Sequence, residues 1–153
     1  MARQLTRYRT LVTPDYGGFD LYDASFDVRD DGLIKSARAR GAAGNGREVC
    51  IVCAQNRFEV ELVIEVWTAE PEPPRGHQGY QEMRLELPTG LLVISERTRG
   101  ARDVPVLKGE CLSRISFFGR DAAREMADEA PATALSADYD GTERYTVQIW
   151  PAA

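Results

Sequence analysis

The chain contains a single histidine, His77, and three cysteines, Cys50, Cys53 and Cys111, among its 153 residues. So few nitrogen and sulfur ligands make a poor zinc set. With one histidine there is one imidazole to serve a nucleophile, and no nucleophile elbow surrounds it. An odd cysteine count without framework spacing is not the pattern of a disulfide-stapled secreted domain. No segment approaches the roughly 18 apolar residues of a membrane-spanning helix. Residues 1–10 carry cations but lack the apolar run of a signal peptide. A reducing cytoplasm is the compartment these absences predict.

Excess positive charge is also missing. Nineteen Lys and Arg stand against 24 Asp and Glu, a net charge of −5. A sequence-independent grip on nucleic acid needs a basic face to displace counterions, so direct nucleic-acid binding is not expected. The length is that of one domain, and a domain of this size buries roughly 70% of its unfolded surface without covalent staples.

What is present is alternation. In residues 59–67, Val60, Leu62, Ile64 and Val66 fall on one face, and Glu59, Glu61 and Glu65 on the other. This period of two marks a half-buried strand. Residues 81–87 and 144–150 repeat it. Residues 48–54 form an unbroken apolar run, suited to a strand covered on both faces. Further strands are predicted at 8–12, 19–22, 91–95 and 111–118. Pro88-Thr89-Gly90 reads as a hairpin turn and Lys108-Gly109-Glu110 as a second turn. Residues 41–46 and 69–79 are loops by composition. One short helix is predicted over 121–129, with Asp121 as its N-cap and Pro131 as its stop. The predicted fold is therefore all-β: an antiparallel β-sandwich with one short helix in a late connection, spanning 1–153 as a single domain.

Each candidate for chemistry has a plain structural reading. Cys50-Ile51-Val52-Cys53 has C-x-x-C spacing, but a redox pair needs a helix N-terminus to lower a thiol pKa. In an extended strand, positions three apart point to opposite faces. Both cysteines are therefore expected to be buried core residues. His77 lies in the polar loop Pro73 to Gly79 and reads as solvated. Gly44-Asn45-Gly46 and Tyr16-Gly17-Gly18 match no phosphate-binding pattern and read as turns. No cofactor or metal site is predicted.

The segment from Thr13 to Asp31 is different. It holds six aspartates, Asp15, Asp20, Asp23, Asp27, Asp30 and Asp31, against the single cation Arg29. Their spacing is not that of an EF-hand loop. Six carboxylates in so short a stretch are expected to face water, since an unpaired buried charge costs several kcal/mol. The expectation is an exposed edge strand and turn, anchored by Phe19 and Leu21 packing inward, that offers a binding surface to a basic protein partner. Two other functions compete. Trp67, Trp150 and Tyr80 could stack on a carbohydrate or other small molecule. Glu59, Glu61 and Glu65 could act as paired carboxylates in a glycoside hydrolase.

Tyr16-Gly17-Gly18-Phe19-Asp20-Leu21-Tyr22-Asp23 comes first, then the strand from Phe58 to Trp67 and the strand–Gly turn–strand from Met83 to Ile94. Val106-Leu107-Lys108-Gly109-Glu110-Cys111-Leu112 follows, and Glu143 to Pro151 closes the order. This order of segments resembles the competence protein J family. Residues 119–141 read as this sequence's own insert. The resemblance implies a non-enzymatic protein that binds and inhibits a nuclease. An acidic inhibitor suits such a target, because a nuclease site is basic where it holds phosphates.

Overall fold

The structure, a computed structural model, describes residues 1–27 and 31–153, without the side chains of Asp31 and Ser136. Among the described residues, ten strands form two five-stranded sheets. The first sheet runs β1 (Gln4–Val12), β5 (Val60–Trp67), β10 (Arg144–Pro151), β9 (Gly109–Phe118), β6 (Tyr80–Leu87). The second runs β3 (Ala42–Gly44), β4 (Glu48–Val52), β2 (Gly18–Asp23), β7 (Leu91–Ser95), β8 (Ala101–Pro105). Neighbours are antiparallel except β5 and β10, which run parallel at the heart of the first sheet. Alternation fixes which face of a strand is buried and is blind to its direction, so this parallel pair left no mark in the sequence.

The alternating apolar residues meet as predicted. Leu62, Ile64, Leu85, Leu87, Tyr145, Val147 and Ile149 of the first sheet share one buried cluster with Phe19, Leu21, Val49, Ile51, Leu92 and Ile94 of the second. The two predicted turns do something other than expected. β6 and β7 lie in different sheets, so residues 88–90 carry the chain across the core and do not close a hairpin. Residues 106–108 make the return crossing from β8 to β9.

There are two α-helices among the described residues, where one was expected. α1 (Asp31–Arg40) packs Leu33 and Ala37, one turn apart, against Ala43 and Cys50. Gly41, at φ +88°, ends it by donating its N–H to the Ala37 carbonyl at 2.6 Å, a left-handed helix cap. A Cβ at Gly41 would also come within 2.9 Å of the Phe117 ring. α2 (Arg120–Glu129) starts one residue before the predicted helix, and its N-cap is Gly119 at φ +68°, not Asp121. A Cβ there would meet the Thr142 carbonyl oxygen at 2.1 Å, so this cap tolerates only glycine.

The outer face of the first sheet is not left bare. Residues 68–79 lead from β5 to β6 across it, and two of their carbonyls accept hydrogen bonds from strand side chains beneath: Pro71 from Arg114 at 2.8 Å and Glu72 from Gln148 at 3.1 Å. Arg114 also pairs with Glu82 at 2.8 Å and Glu70 at 3.4 Å, and its guanidinium lies against the rings of Tyr80 and Trp150.

β4 is covered on both sides, as its apolar run implied. Cys53 belongs to the main core, while Cys50 faces α1 on the opposite side, and all three cysteines are free and buried. Burial and the neighbouring Asp20 carboxylate push the Cys50 thiol up to about 12, and burial pushes Cys111 up to about 11. Burial, with Glu143 beside it, raises Cys53 as well. Thiolate is the reactive form. The native protein is therefore expected to resist Ellman's reagent at pH 8 and to yield its thiols only on unfolding. Rapid labelling of any cysteine in the folded protein would contradict this arrangement.

Candidate functional site

The aspartate segment does not form an exposed edge. β2 lies between β4 and β7 in the middle of the second sheet. Phe19 and Leu21 do pack fully into the core. Asp15 and Asp23 are buried and Asp20 is half-buried, which corrects the expectation that the carboxylates face water. The reason lies in their donors. Arg97 forks onto Asp20, with Nε at 3.0 Å from Oδ2 and Nη2 at 3.3 Å from Oδ1. The same guanidinium donates from Nη1 to the Asp15 carbonyl at 2.8 Å. The Asp15 carboxylate accepts from the Thr98 hydroxyl and from the Thr98 amide at 2.9 Å. Arg97 sits at φ +58°, a left-handed conformation unusual for arginine, and its side-chain bonds hold it there.

Asp23 fastens a different place. It accepts from the Ser25 amide and hydroxyl at 2.9 and 2.6 Å, and from the Thr89 amide and hydroxyl at 3.1 and 2.9 Å. It thereby anchors the 88–90 crossing between the sheets. Asp27 is exposed. Asp30 lies outside the described residues, as does the side chain of Asp31, whose backbone opens α1.

The remaining candidates are likewise held. Glu61 pairs with Arg9 at 2.9 Å, Glu59 accepts from the Thr13 hydroxyl at 3.0 Å, and Glu65 accepts from the Trp67 indole at 3.0 Å. His77 stacks edge-on against Tyr80 and accepts the Gly79 amide at 3.2 Å. Trp150 is 4% exposed. Among the described residues, no three His, Cys, Asp or Glu side chains gather as a metal-ligand set.

Two features escaped the sequence reading. The first is a buried polar network. Glu143 is withdrawn from water and accepts the Ala54 amide at 2.7 Å, the Gln55 side-chain amide at 3.3 Å and the Tyr145 hydroxyl. Arg120 lies 3.8 Å from that carboxylate and donates to the Tyr145 hydroxyl and, at 2.7 Å, to the Val52 carbonyl. Burial holds the Tyr145 hydroxyl protonated far above its ordinary range. The second feature is a cleft of about 300 Å³ between the end of α1 and the start of α2, with Arg38, Arg40, Gln78, Phe117, Arg120 and Asp121 on its walls. These residues are scattered through the sequence, and only the fold brings them together.

The exposed carboxylates are concentrated elsewhere. Asp121, Glu125, Asp128 and Glu129 all lie on the solvent side of α2, while Ala123 and Ala127 face inward. Arg57 fixes the far end of this helix, donating to the Ala130 and Pro131 carbonyls at 2.9 Å each.

Two mostly antiparallel sheets around one core, with α2 set between β9 and β10, define the class of fold. Among solved structures it is similar to ComJ, the inhibitor of the DNA-degrading activity of NucA from Bacillus subtilis. The two share 10% identity, with 99% of each chain covered and a TM-score of 0.64. A protein described as crocagin biosynthetic gene J is similar at 11% identity, with 100% of this chain and 99% of that one covered and a TM-score of 0.59. No known family and no curated protein matches the sequence. No helix among the described residues is long and apolar enough to cross a membrane.

The anchoring of Asp23 generates a test. Burial alone would raise its pKa, but the bonds from Ser25 and Thr89 outweigh that and hold it below the usual carboxylate value. A lowered folded-state pKa contributes stability that is present above the unfolded value, near 3.9, and is lost as pH falls through the folded one. Asp23→Asn is expected to cost about 1–3 kcal/mol at pH 7, with the deficit shrinking below about pH 4. Urea unfolding at pH 7 and pH 3 measures both values. Equal deficits at the two pH values would refute the ionic role.

Proposed function

We propose that the chain is a non-enzymatic, cytoplasmic protein-binding module on a β-sandwich scaffold, an acidic inhibitor of a basic partner such as a nuclease. The observation that carries this reading is the ComJ fold shared over 99% of each chain. The net charge of −5 supports it, since a basic, phosphate-holding surface is attracted to an acidic one. Asp15, Asp20 and Asp23 serve the scaffold in this reading. The binding surface proposed from the aspartate segment narrows to Asp27, Asp30 and Asp31, joined by the exposed carboxylates of α2.

The small-molecule reading has less support. A cleft of about 290 Å³ does touch Trp150, but Arg114 already covers that ring at 5.1 Å. The hydrolase reading has less still, because Glu59, Glu61 and Glu65 each hold a structural partner.

The experiment is to titrate the purified protein into a DNA-degradation assay of a basic nuclease from the same organism, and to measure association at two salt concentrations. Inhibition is expected, with association slowing as salt rises. Glu125→Lys with Asp128→Lys should reduce the on-rate by about tenfold at low salt and flatten its salt dependence. No inhibition at molar excess over each such nuclease tested would overturn the reading.

A further inference from the structure

The cleft between α1 and α2 is cationic in an otherwise acidic protein. Three guanidiniums, Arg38, Arg40 and Arg120, stand on its walls with one carboxylate, Asp121. Three positive charges, less Asp121 on the wall and the buried Glu143 carboxylate 3.8 Å behind Arg120, leave one net positive charge at a space of about 300 Å³. Like charges confined in this way repel one another unless a counter-charge enters. Among the described residues no carboxylate pairs with Arg38 or Arg40, and Asp121 is turned toward Arg124 at 3.3 Å.

Arg120 differs from an ordinary surface arginine. Its side chain is only 20% exposed. Its Nη1 is spent inward, on the Val52 carbonyl and the Tyr145 hydroxyl, with the buried Glu143 carboxylate 3.8 Å away. The guanidinium plane rests near the Phe117 and Tyr145 rings, at 5.6 and 5.9 Å. One edge of the fork is therefore locked by the interior, and the remainder of the group borders the cleft. A donor fixed before its ligand arrives loses little entropy on binding. Around it, the N-cap Gly119 has no side chain to cap α2; its own N–H goes to Gln78 Oε1 at 2.8 Å, and the first helical bond is Ala123 N–H to the Gly119 carbonyl at 2.9 Å. The amides of Arg120, Asp121 and Ala122 have no intrahelical acceptor and add to the positive potential.

We propose that this cleft binds a phosphate-type oxyanion through Arg38, Arg40 and Arg120. Three guanidiniums around one cleft favour a phosphate, with its several acceptor oxygens, over a carboxylate. A phosphate monoester carries about −1.5 to −2 at pH 7 and accepts forked guanidinium bonds on several oxygens. Phe117 forms an apolar wall that would lie alongside an organic substituent of such an ester. The proposal does not rest on the inhibitor reading and can fail separately from it.

The test is an amide NMR titration of the whole chain with inorganic phosphate and with phenyl phosphate, at ionic strength held constant with chloride. Saturable shifts are expected at the amides of Gly119, Arg120, Asp121 and Ala122, complete by about 10 mM. Arg38→Ala and Arg40→Ala, both exposed positions, should each weaken binding by about tenfold while leaving the melting temperature unchanged. Tighter binding of phenyl phosphate would assign the site to an organic phosphomonoester, and equal binding would assign it to the phosphoryl group itself. Absence of saturable shifts in this cluster, or shifts that persist unchanged in the Arg38→Ala/Arg40→Ala double variant, would overturn the proposal.

Discussion

A carboxylate withdrawn from water must be met by hydrogen-bond donors, and this constraint organises the second sheet and its connections. Asp20 is met by Arg97, Asp15 by Thr98, and Asp23 by Ser25 and Thr89. Each donor set comes in part from a segment distant in sequence, so each carboxylate fastens β2 to something the chain reaches much later. Asp20 and Asp15 hold the turn after β7, and Asp23 holds the crossing that moves the chain from one sheet to the other. Glu143 plays the same part in the first sheet, tying residues 54–55 to β10 and the root of α2. Charge that looked like surface decoration is internal bracing.

The core was legible in the sequence because burial imposes a period of two. Val60, Leu62 and Ile64, or Tyr145, Val147 and Ile149, declare their face without knowledge of any partner. The double covering of β4 was legible for the same reason. Strand direction and sheet membership were not, since they depend on which strands meet across tens of residues. α1 was missed although its signals were present: Leu33 and Ala37 at helical spacing, arginines in the last turn and Gly41 after it. Gly32 near its start and its short apolar stripe made those signals weak. The aspartate run misled because composition shows carboxylates but not their donors. Arg97 and Thr98 lie more than seventy residues away from the acids they satisfy.

The molecule separates its charge. Internal pairs absorb the acids of β2, α2 carries exposed carboxylates on its solvent side, and the mouth beside the same helix gathers arginines. One short helix therefore borders fields of opposite sign. Arg57 and Arg120 pin its two ends to the body of the protein, which gives both fields a fixed position.

The placement of β10 has a consequence for the birth of the fold. It is synthesised after the other four strands of its sheet, yet it lies at the centre of that sheet, hydrogen-bonded to β5 on one side and β9 on the other. Until it emerges from the ribosome, β5 and β9 have no neighbour on their facing edges. Translation at about 5–20 residues per second leaves those edges open for a matter of seconds. Unpaired strand edges of this kind recruit other chains. The nascent protein is thus most in need of protection just before its synthesis reaches residue 151, and a chain interrupted before that strand would lack the middle of its first sheet.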